Sequence, residues 1–414
     1  MRVVLSTYGS RGDVEPMAGL AVALRSLGVE ARVCAPSDEE FARRLAGLGV
    51  ELVPVGQPVR ALVTGATPPP ASGLPQRAAA LVAAQYDAVA AAAQDADAVV
   101  ATGLFPAAAG ARTAAEELGL PYAFVAFFPS LLPSPYHRPF ERPGGSFPPE
   151  VTDNRELHDL DARFQNEVFG PGLNTHRASI GLPPVTEFRD HVLTDRPWLA
   201  ADPLLGPWQE PADLDVVQTG AWLLPDERPL PADLEAFLGA GEPPVYVGFG
   251  SMPMRGAEDA AQVAVAAVRA QGRRVLVGRG WADLALIDAA DDCFAVGEAN
   301  HRALFRRVAA VVHHGGAGTT TTAAVAGVPQ VVVPQIVDQP YWAGRVADLG
   351  IGAAHYGPVP TYESLSAALR TALAPETRAR ASAVAGMIRT DGAVVAGRLV
   401  LDAVAEEGAG TVSA

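Results

Sequence analysis

Three short stretches of the chain join glycines to side chains that can move a proton or hold an anion. The first is Gly9-Ser10-Arg11-Gly12-Asp13-Val14-Glu15-Pro16, directly after an apolar N-terminal run. Its glycines allow close backbone approach, Ser10 and Arg11 offer donors to an anion, and Asp13 is a carboxylate able to take a proton. Asp13 is equally suited to N-cap the helix beginning near Pro16, and the segment alone does not separate the two roles. The second stretch is His313-His314-Gly315-Gly316-Ala317-Gly318-Thr319, between the apolar run AAVV and a Thr/Ala helix. A glycine turn opening a helix presents free amides and the positive end of the helix dipole, which suit a diphosphate, and His314 can donate a hydrogen bond to a phosphate oxygen. The bland alternative is a tight turn with satisfied histidines. The third is Asp338-Gln339, after VPQVVVPQ, where a carboxylate beside an amide suits neighbouring sugar hydroxyls; loop solvation and helix capping compete with that role.

A weaker signal is Gly248-Phe249-Gly250-Ser251, in which Ser251 could meet phosphate. The dinucleotide spacing GxGxxG is not completed there, because Pro253 stands at its third glycine. Metal chemistry has little support. Ring nitrogens of adjacent histidines rarely converge on one ion, and the Asp-x-Asp pairs at Asp95/Asp97, Asp159/Asp161 and Asp213/Asp215 are what an Asp-rich chain yields by chance.

Positioning these residues requires a frame, and the hydrophobic pattern supplies it. Val-rich runs at Arg2–Thr7, Val29–Ala35, Glu51–Val55, Ala98–Thr102 and Tyr122–Phe128 alternate with helical Ala/Leu/Arg stretches, as in a parallel, doubly wound sheet. A helix is expected over Asp153–Ile180, with short strands at Trp198–Ala201 and Val216–Thr219. The rhythm resumes with strands at Val245–Gly250, Arg274–Val277, Phe294–Gly297, Val311–His313 and Gln330–Val333. The fold class is therefore α/β, with two Rossmann-like doubly wound domains. The domains are residues 1–222 and 245–414, joined by the Pro/acidic segment 223–244, and the last helix is expected to return to the first domain. Glycines within Glu376–Glu407 predict breaks in that closing helical stretch. In such sheets ligands bind at the carboxyl ends of the strands, where all four segments fall. The segment Pro129–Pro149, with its many prolines, is a long loop that either meets a ligand or stiffens the surface.

Composition narrows the function classes. The chain has 414 residues and a formal charge of −15, which disfavours nucleic-acid and membrane-surface partners. Its 31 basic residues are all arginine, so a Walker A lysine, a pyridoxal Schiff base and a protein kinase are excluded. Cys34 and Cys293 lie far apart without a CxxC spacing, and the N-terminus lacks the h-region of a signal peptide, so a reducing cytoplasm is the expected compartment.

Together, STYGSRGDVEP, HHGGAGT and PQIVDQPYWAGRVADLGIG resemble the glycosyltransferases of antibiotic biosynthesis, above all the vancomycin/teicoplanin glycopeptide group. The resemblance extends over nearly the whole chain, through VTDNRELHDLD, NTHRASIGLPPV, VYVGFGSMP and GPVPTYESLSAALRTALAPETRARA. It implies the GT-B architecture, two domains facing each other across a cleft that holds the active site, with the acceptor-binding domain first and the nucleotide-sugar domain second. It implies Asp13 as the general base toward an acceptor hydroxyl that attacks the anomeric carbon with inversion. Ser10, Arg11, Ser251, His314, Gly315, Gly316, Ala317, Gly318, Thr319, Asp338 and Gln339 would bind the donor, and no divalent metal or other cofactor would be needed. Plant relatives carry a His at the base position and Trp and Glu in the donor motif, where this chain has Asp13, Ala317 and Thr322. The expected activity is transfer of a hexose from a UDP- or dTDP-sugar to a hydroxyl of a glycopeptide aglycone or its attached sugar, with a monomer sufficing. The competing readings are a non-catalytic nucleotide-sugar or aglycone binder and a nicotinamide oxidoreductase.

Overall fold

The computed structural model describes residues 1–63, 73–142, 146–249, 257–280, 290–357 and 359–412. Seven strands, β1 (Arg2–Ser6), β2 (Glu30–Pro36), β3 (Glu51–Val55), β4 (Ala98–Ala101), β5 (Tyr122–Ala126), β6 (Trp198–Leu199) and β7 (Val217–Gln218), form one sheet. Six more, β8 (Val245–Gly248), β9 (Val275–Gly278), β10 (Cys293–Val296), β11 (Ala310–His313), β12 (Gln330–Val332) and β13 (Gly352–Ala354), form a second. The orders are β3-β2-β1-β4-β5-β6-β7 and β10-β9-β8-β11-β12-β13, and every pairing is parallel.

Both sheets are buried on both faces, which explains their unbroken apolar strands. Along β1, Val4 joins one hydrophobic cluster while Val3 and Leu5 join the cluster on the opposite face. Along β8, Val245 and Val247 face one layer and Tyr246 faces the other. The chain reverses its direction of travel between β1 and β4 in the first sheet and between β8 and β11 in the second. Each reversal opens a crevice at the carboxyl ends of the strands.

The segment 223–244 is only partly a connector. Leu230, Leu234 and Leu238 are buried with Tyr246, Leu276 and Phe305 of the second domain, and the last two leucines belong to a short helix, Ala232–Gly239. The closing helix, Gly392–Val412, crosses back and buries Ala393, Ala396 and Val400 against Met17 and Leu24 of the first domain. That crossing requires glycine, since a side chain at Gly392 would run into the main chain of Gly220. The helix expected over 153–180 is divided in two, and the closing stretch breaks as its glycines led one to expect. Asn154–Val168 and Gly170–Ser179 part at Phe169, just before Gly170-Pro171, and Pro375–Ala385 ends at Gly386, whereas Gly397 remains inside the last helix.

A second tie holds the domains together behind the cleft. Trp342, 1% exposed, is buried in a cluster that includes Leu205 and Ala201 of the first domain. Arg345 donates to the carbonyls of Leu205 (2.9 Å) and Leu204 (3.0 Å) in the same loop. Cys34 and Cys293 are both buried and lie in different sheets, so no disulfide joins them. Among the described residues no helix is long and apolar enough to cross a membrane.

Candidate active site

Between the carboxyl ends of β1 and β11 lies a cavity of about 710 Å³, lined by residues of both domains. On its first-domain wall stand Ser10, Arg11 and Asp13, carried by the turn into the helix Arg11–Ser26. Ser10, rather than Asp13, is the N-cap. Its side chain accepts from the Gly12 amide, and Asp13 curls back so that its Oδ2 accepts from the Ser10 amide at 2.8 Å. Asp13 is therefore the N3 residue and not the N-cap, completing the capping box while standing at the cavity wall. Gly9 is required for this curl, because a side chain there would collide with the Asp13 carboxylate.

The enclosure changes the chemistry of Asp13. Desolvation pushes its pKa up to about 7, and the negative charge of Asp338 across the cleft adds to the rise against the opposing Ser10 hydrogen bond. A carboxyl poised near neutrality is what a general base requires, whereas one that only capped a helix in water would stay near 4.

The facing wall is the turn after β11, which opens the helix Ala317–Val325. His314, Gly316, Ala317, Gly318 and Thr319 line the cavity. Gly315 is buried behind them, with φ +95° and with Val332 Cγ1 2.6 Å from where a β-carbon would stand. The twin histidines divide their work. His313, the last residue of β11, is fully buried and bonded on both ring nitrogens, to the Gly315 amide and to Gln330. His314 carries a buried Nδ1 without a hydrogen-bond partner, and burial lowers its pKa to about 4, so near neutral pH it is uncharged. Gly316 makes room for it, since a β-carbon there would sit 2.7 Å from His314 Nε2.

Asp338 and Gln339 also reach the cavity, at the start of the helix Gln339–Asp348. The Trp342 indole donates to Asp338 Oδ2 at 2.8 Å, so the residue that ties the domains also fixes this carboxylate. Desolvation raises the Asp338 pKa to about 6 despite that bond. Gln339 is mostly spent internally, its Oε1 accepting from the amides of Gln335 (2.7 Å) and Ile336 (3.2 Å). Val337, between this loop and Asp338, has φ +57°, a conformation that costs a β-branched residue energy and marks sites where geometry is imposed. Ser251 lies outside the described residues.

Arg11 is less available to an anion than its position in sequence implies. Its guanidinium holds Glu15 at 2.8 Å and lies 3.5 Å from both Glu40 and Glu298. Glu298 belongs to the second domain and also stands 3.7 Å from Arg44 and 3.5 Å from Arg228. Glu40, Arg44 and Glu298, together with His301 and Tyr246, line the cavity and were not legible as site residues from motifs. The usable signal was position, since Glu298 and His301 follow β10 at the same carboxyl edge. The loop Pro129–Pro149 contributes no described residue to the cavity wall, although Phe127 and Phe128, just before it, do. It is pinned from below by Asn154, which donates to the Pro135 carbonyl at 2.8 Å, and by His158, against the His137 carbonyl at 3.2 Å. Among the described residues no three His, Cys, Asp or Glu side chains cluster as they would around a metal ion.

Known proteins were compared with this chain as a whole. It is 57% identical to glycosyltransferase GtfE of Amycolatopsis orientalis, across 98% of both chains. To the vancomycin aglycone glucosyltransferase of the same organism it is 55% identical, again over 98% of each. The chain belongs to the glycopeptide-antibiotic glycosyltransferases. A dTDP-epi-vancosaminyltransferase of that organism is 52% identical over 98% of each chain. Residues 291–393 match the C-terminal domain of erythromycin biosynthesis protein CIII-like proteins, and residues 16–152 match a glycosyl transferase 4-like domain. Among solved structures, the glycotransferase of kitacinnamycin aligns with TM-score 0.70 at 18% identity, covering 97% of this chain and 99% of the other. Glycosyltransferase VinC in complex with dTDP aligns with TM-score 0.67 at 21% identity, covering 98% of this chain and all of the other. These likenesses show the GT-B fold, and the family sets the nicotinamide oxidoreductase reading aside.

Proposed function

We propose that this glycosyltransferase moves a hexose from a UDP- or dTDP-sugar to a hydroxyl of a glycopeptide aglycone or its attached sugar, inverting the anomeric carbon without a divalent metal. Asp13 takes the proton of the acceptor hydroxyl as the new glycosidic bond forms. The bond from the anomeric carbon to the diphosphate oxygen breaks, and the leaving diphosphate is received by the amides at the start of the helix Ala317–Val325, with neutral His314 donating a hydrogen bond. Asp338 holds sugar hydroxyls beside the anomeric carbon. A UDP- or dTDP-sugar is also the kind of metabolite a cytoplasmic enzyme meets.

The observation that carries this reading is the opposition, within one cavity, of a carboxyl shifted to about 7 and an amide-rich helix start from the other domain. The names of relatives support the acceptor class and a nucleotide-sugar donor: one acts on vancomycin aglycone, and another is named for a dTDP-sugar substrate. The test is transfer by the purified chain, with UDP- and dTDP-glucose offered against a glycopeptide aglycone. Glycosylated product lost in D13N, with nucleotide still bound, supports the assignment. Nucleotide binding without any product would make the chain the non-catalytic binder instead.

A further inference from the structure

His313 is an unusual occupant of a strand end. It is fully buried among the valines of β11 and β12, yet it brings two ring nitrogens that burial would penalise unless both were bonded. Both are. The Gly315 amide donates to His313 Nδ1 at 3.1 Å, which places the ring proton on Nε2, and Nε2 donates to Gln330 Oε1 at 2.9 Å. Gln330, also fully buried, passes the chain onward, its Nε2 donating to the Thr320 carbonyl at 3.3 Å. Thr320 in turn bonds back to the Gly316 carbonyl through both its amide and its hydroxyl, each at 3.0 Å. The loop of bonds therefore runs from the turn, through the strand end and β12, to the first turn of the helix and back to the turn.

Apolar side chains would fill this space at lower desolvation cost, so what the polar chain supplies is geometry. A peptide unit is planar, so fixing the Gly315 amide fixes the plane between His314 and Gly315. With Gly315 held at φ +95°, that plane sets the direction in which the following amides leave the turn.

We propose that His313 and Gln330 are positioning residues of the donor site: their side-chain relay sets the Gly315 amide and, through it, aims the amides of Gly316–Gly318 at the diphosphate. The proposal rests on the reading of this turn as the donor site. His313 touches no ligand itself. It differs in this from its neighbour His314, whose unpartnered Nδ1 is the polar atom left over in the turn.

The test separates the two bonds of the ring. Asparagine can offer its Oδ1 where Nδ1 stood, keeping the Gly315 contact and losing Gln330. Glutamine reaches toward Gln330 and loses Gly315. Titration of the full-length protein with UDP and with dTDP should show H313Q binding roughly five- to tenfold more weakly than wild type and H313N within roughly twofold of it, the scale of one lost hydrogen bond. The donor KM should follow the same order, with kcat at saturating donor little changed, and melting temperatures should fall similarly in both variants. Q330L keeps the Gly315 bond and removes only the acceptor that orients the ring at Nε2, so its effect on nucleotide binding should be small, like that of H313N, and should not add to that of H313Q. Equal nucleotide affinity in H313Q and H313N would reduce the relay to core packing and overturn the proposal. Wild type that binds neither nucleotide would break the donor-site reading, and the relay would fall with it. Wild type and H313Q binding equally well would break the relay alone.

Discussion

The turn after β1 and the turn after β11 each flank the reversal of strand order in their own sheet, β1 as its first strand and β11 as the counterpart of β4, yet they are built from different materials. The first is rich in side chains: Ser10 caps, Arg11 pairs with carboxylates, and Asp13 curls inward with its pKa lifted to about 7. The second is rich in backbone, with glycines at 315, 316 and 318, and of its two histidines only His314 lines the cavity, His313 being fully bonded away from it. A proton acceptor must be a group whose charge can change, and burial tunes it. A diphosphate receiver needs several donors in a fixed fan, and main-chain amides provide them without side-chain freedom to lose. On the proposed mechanism, the two turns that border a reversal of strand order divide the work, proton transfer in one domain and charge reception in the other.

The contrast can be broken at either turn. The largest effect should come from D13N, which lowers kcat by about 10²–10⁴-fold, the range of a general base, with nucleotide affinity retained in a calorimetric titration. The same substitution has a signature in stability. A carboxyl whose pKa rises on folding takes up a proton, so its contribution is fully present below about 4 and is lost as pH rises through about 7. Thermal melts of wild type should therefore fall over that window relative to D13N. Next in size is G315A, which forces a β-carbon toward Val332 at φ +95°. It should cost about 1–3 kcal/mol in denaturant unfolding and weaken UDP or dTDP binding, while leaving the proton-transfer limb of the pH profile in place.

Smaller effects sharpen the comparison. In wild type, kcat/KM should rise with pH through an acid limb near 7, because only ionised Asp13 can accept a proton. D338N removes a negative charge facing Asp13 and should move that limb to lower pH, since ionisation is no longer opposed across the cleft. The smallest change is expected from E298Q. Its pairs with Arg11 (3.5 Å) and Arg44 (3.7 Å) span the domains loosely, and such pairs are worth about 0.2–1 kcal/mol. Small-angle scattering should show a slightly more open wild type at high salt, and an E298Q protein that no longer responds as strongly.

Much of the frame was visible in the sequence because strands buried on both faces write themselves as Val-rich runs. β13 was not, since Gly352-Ala353-Ala354 has neither β-branching nor bulk, and it is held in the sheet by pairing with β12. The Asp13 loop and the glycine turn were legible because their chemistry sits in consecutive residues after a strand. The division of labour between His313 and His314 was not, because it depends on one being the last residue of β11 beside Gln330 and the other the first of the turn. Arg11 was readable as a donor, but its partner Glu40 comes from another helix of the same domain and Glu298 reaches it only because the domains face each other. Gln339 looked like a sugar ligand, and only the fold shows its oxygen committed to Gln335 and Ile336.

The most direct test is a crossed measurement on D13N and H313Q, taking UDP and dTDP affinity and the single-turnover rate at saturating donor for both. The account predicts that D13N loses rate and keeps affinity, and that H313Q loses affinity and keeps rate. If both variants lose the same quantity, or if D13N turns over at a near-normal rate, the assignment of proton transfer to one turn and charge reception to the other is contradicted.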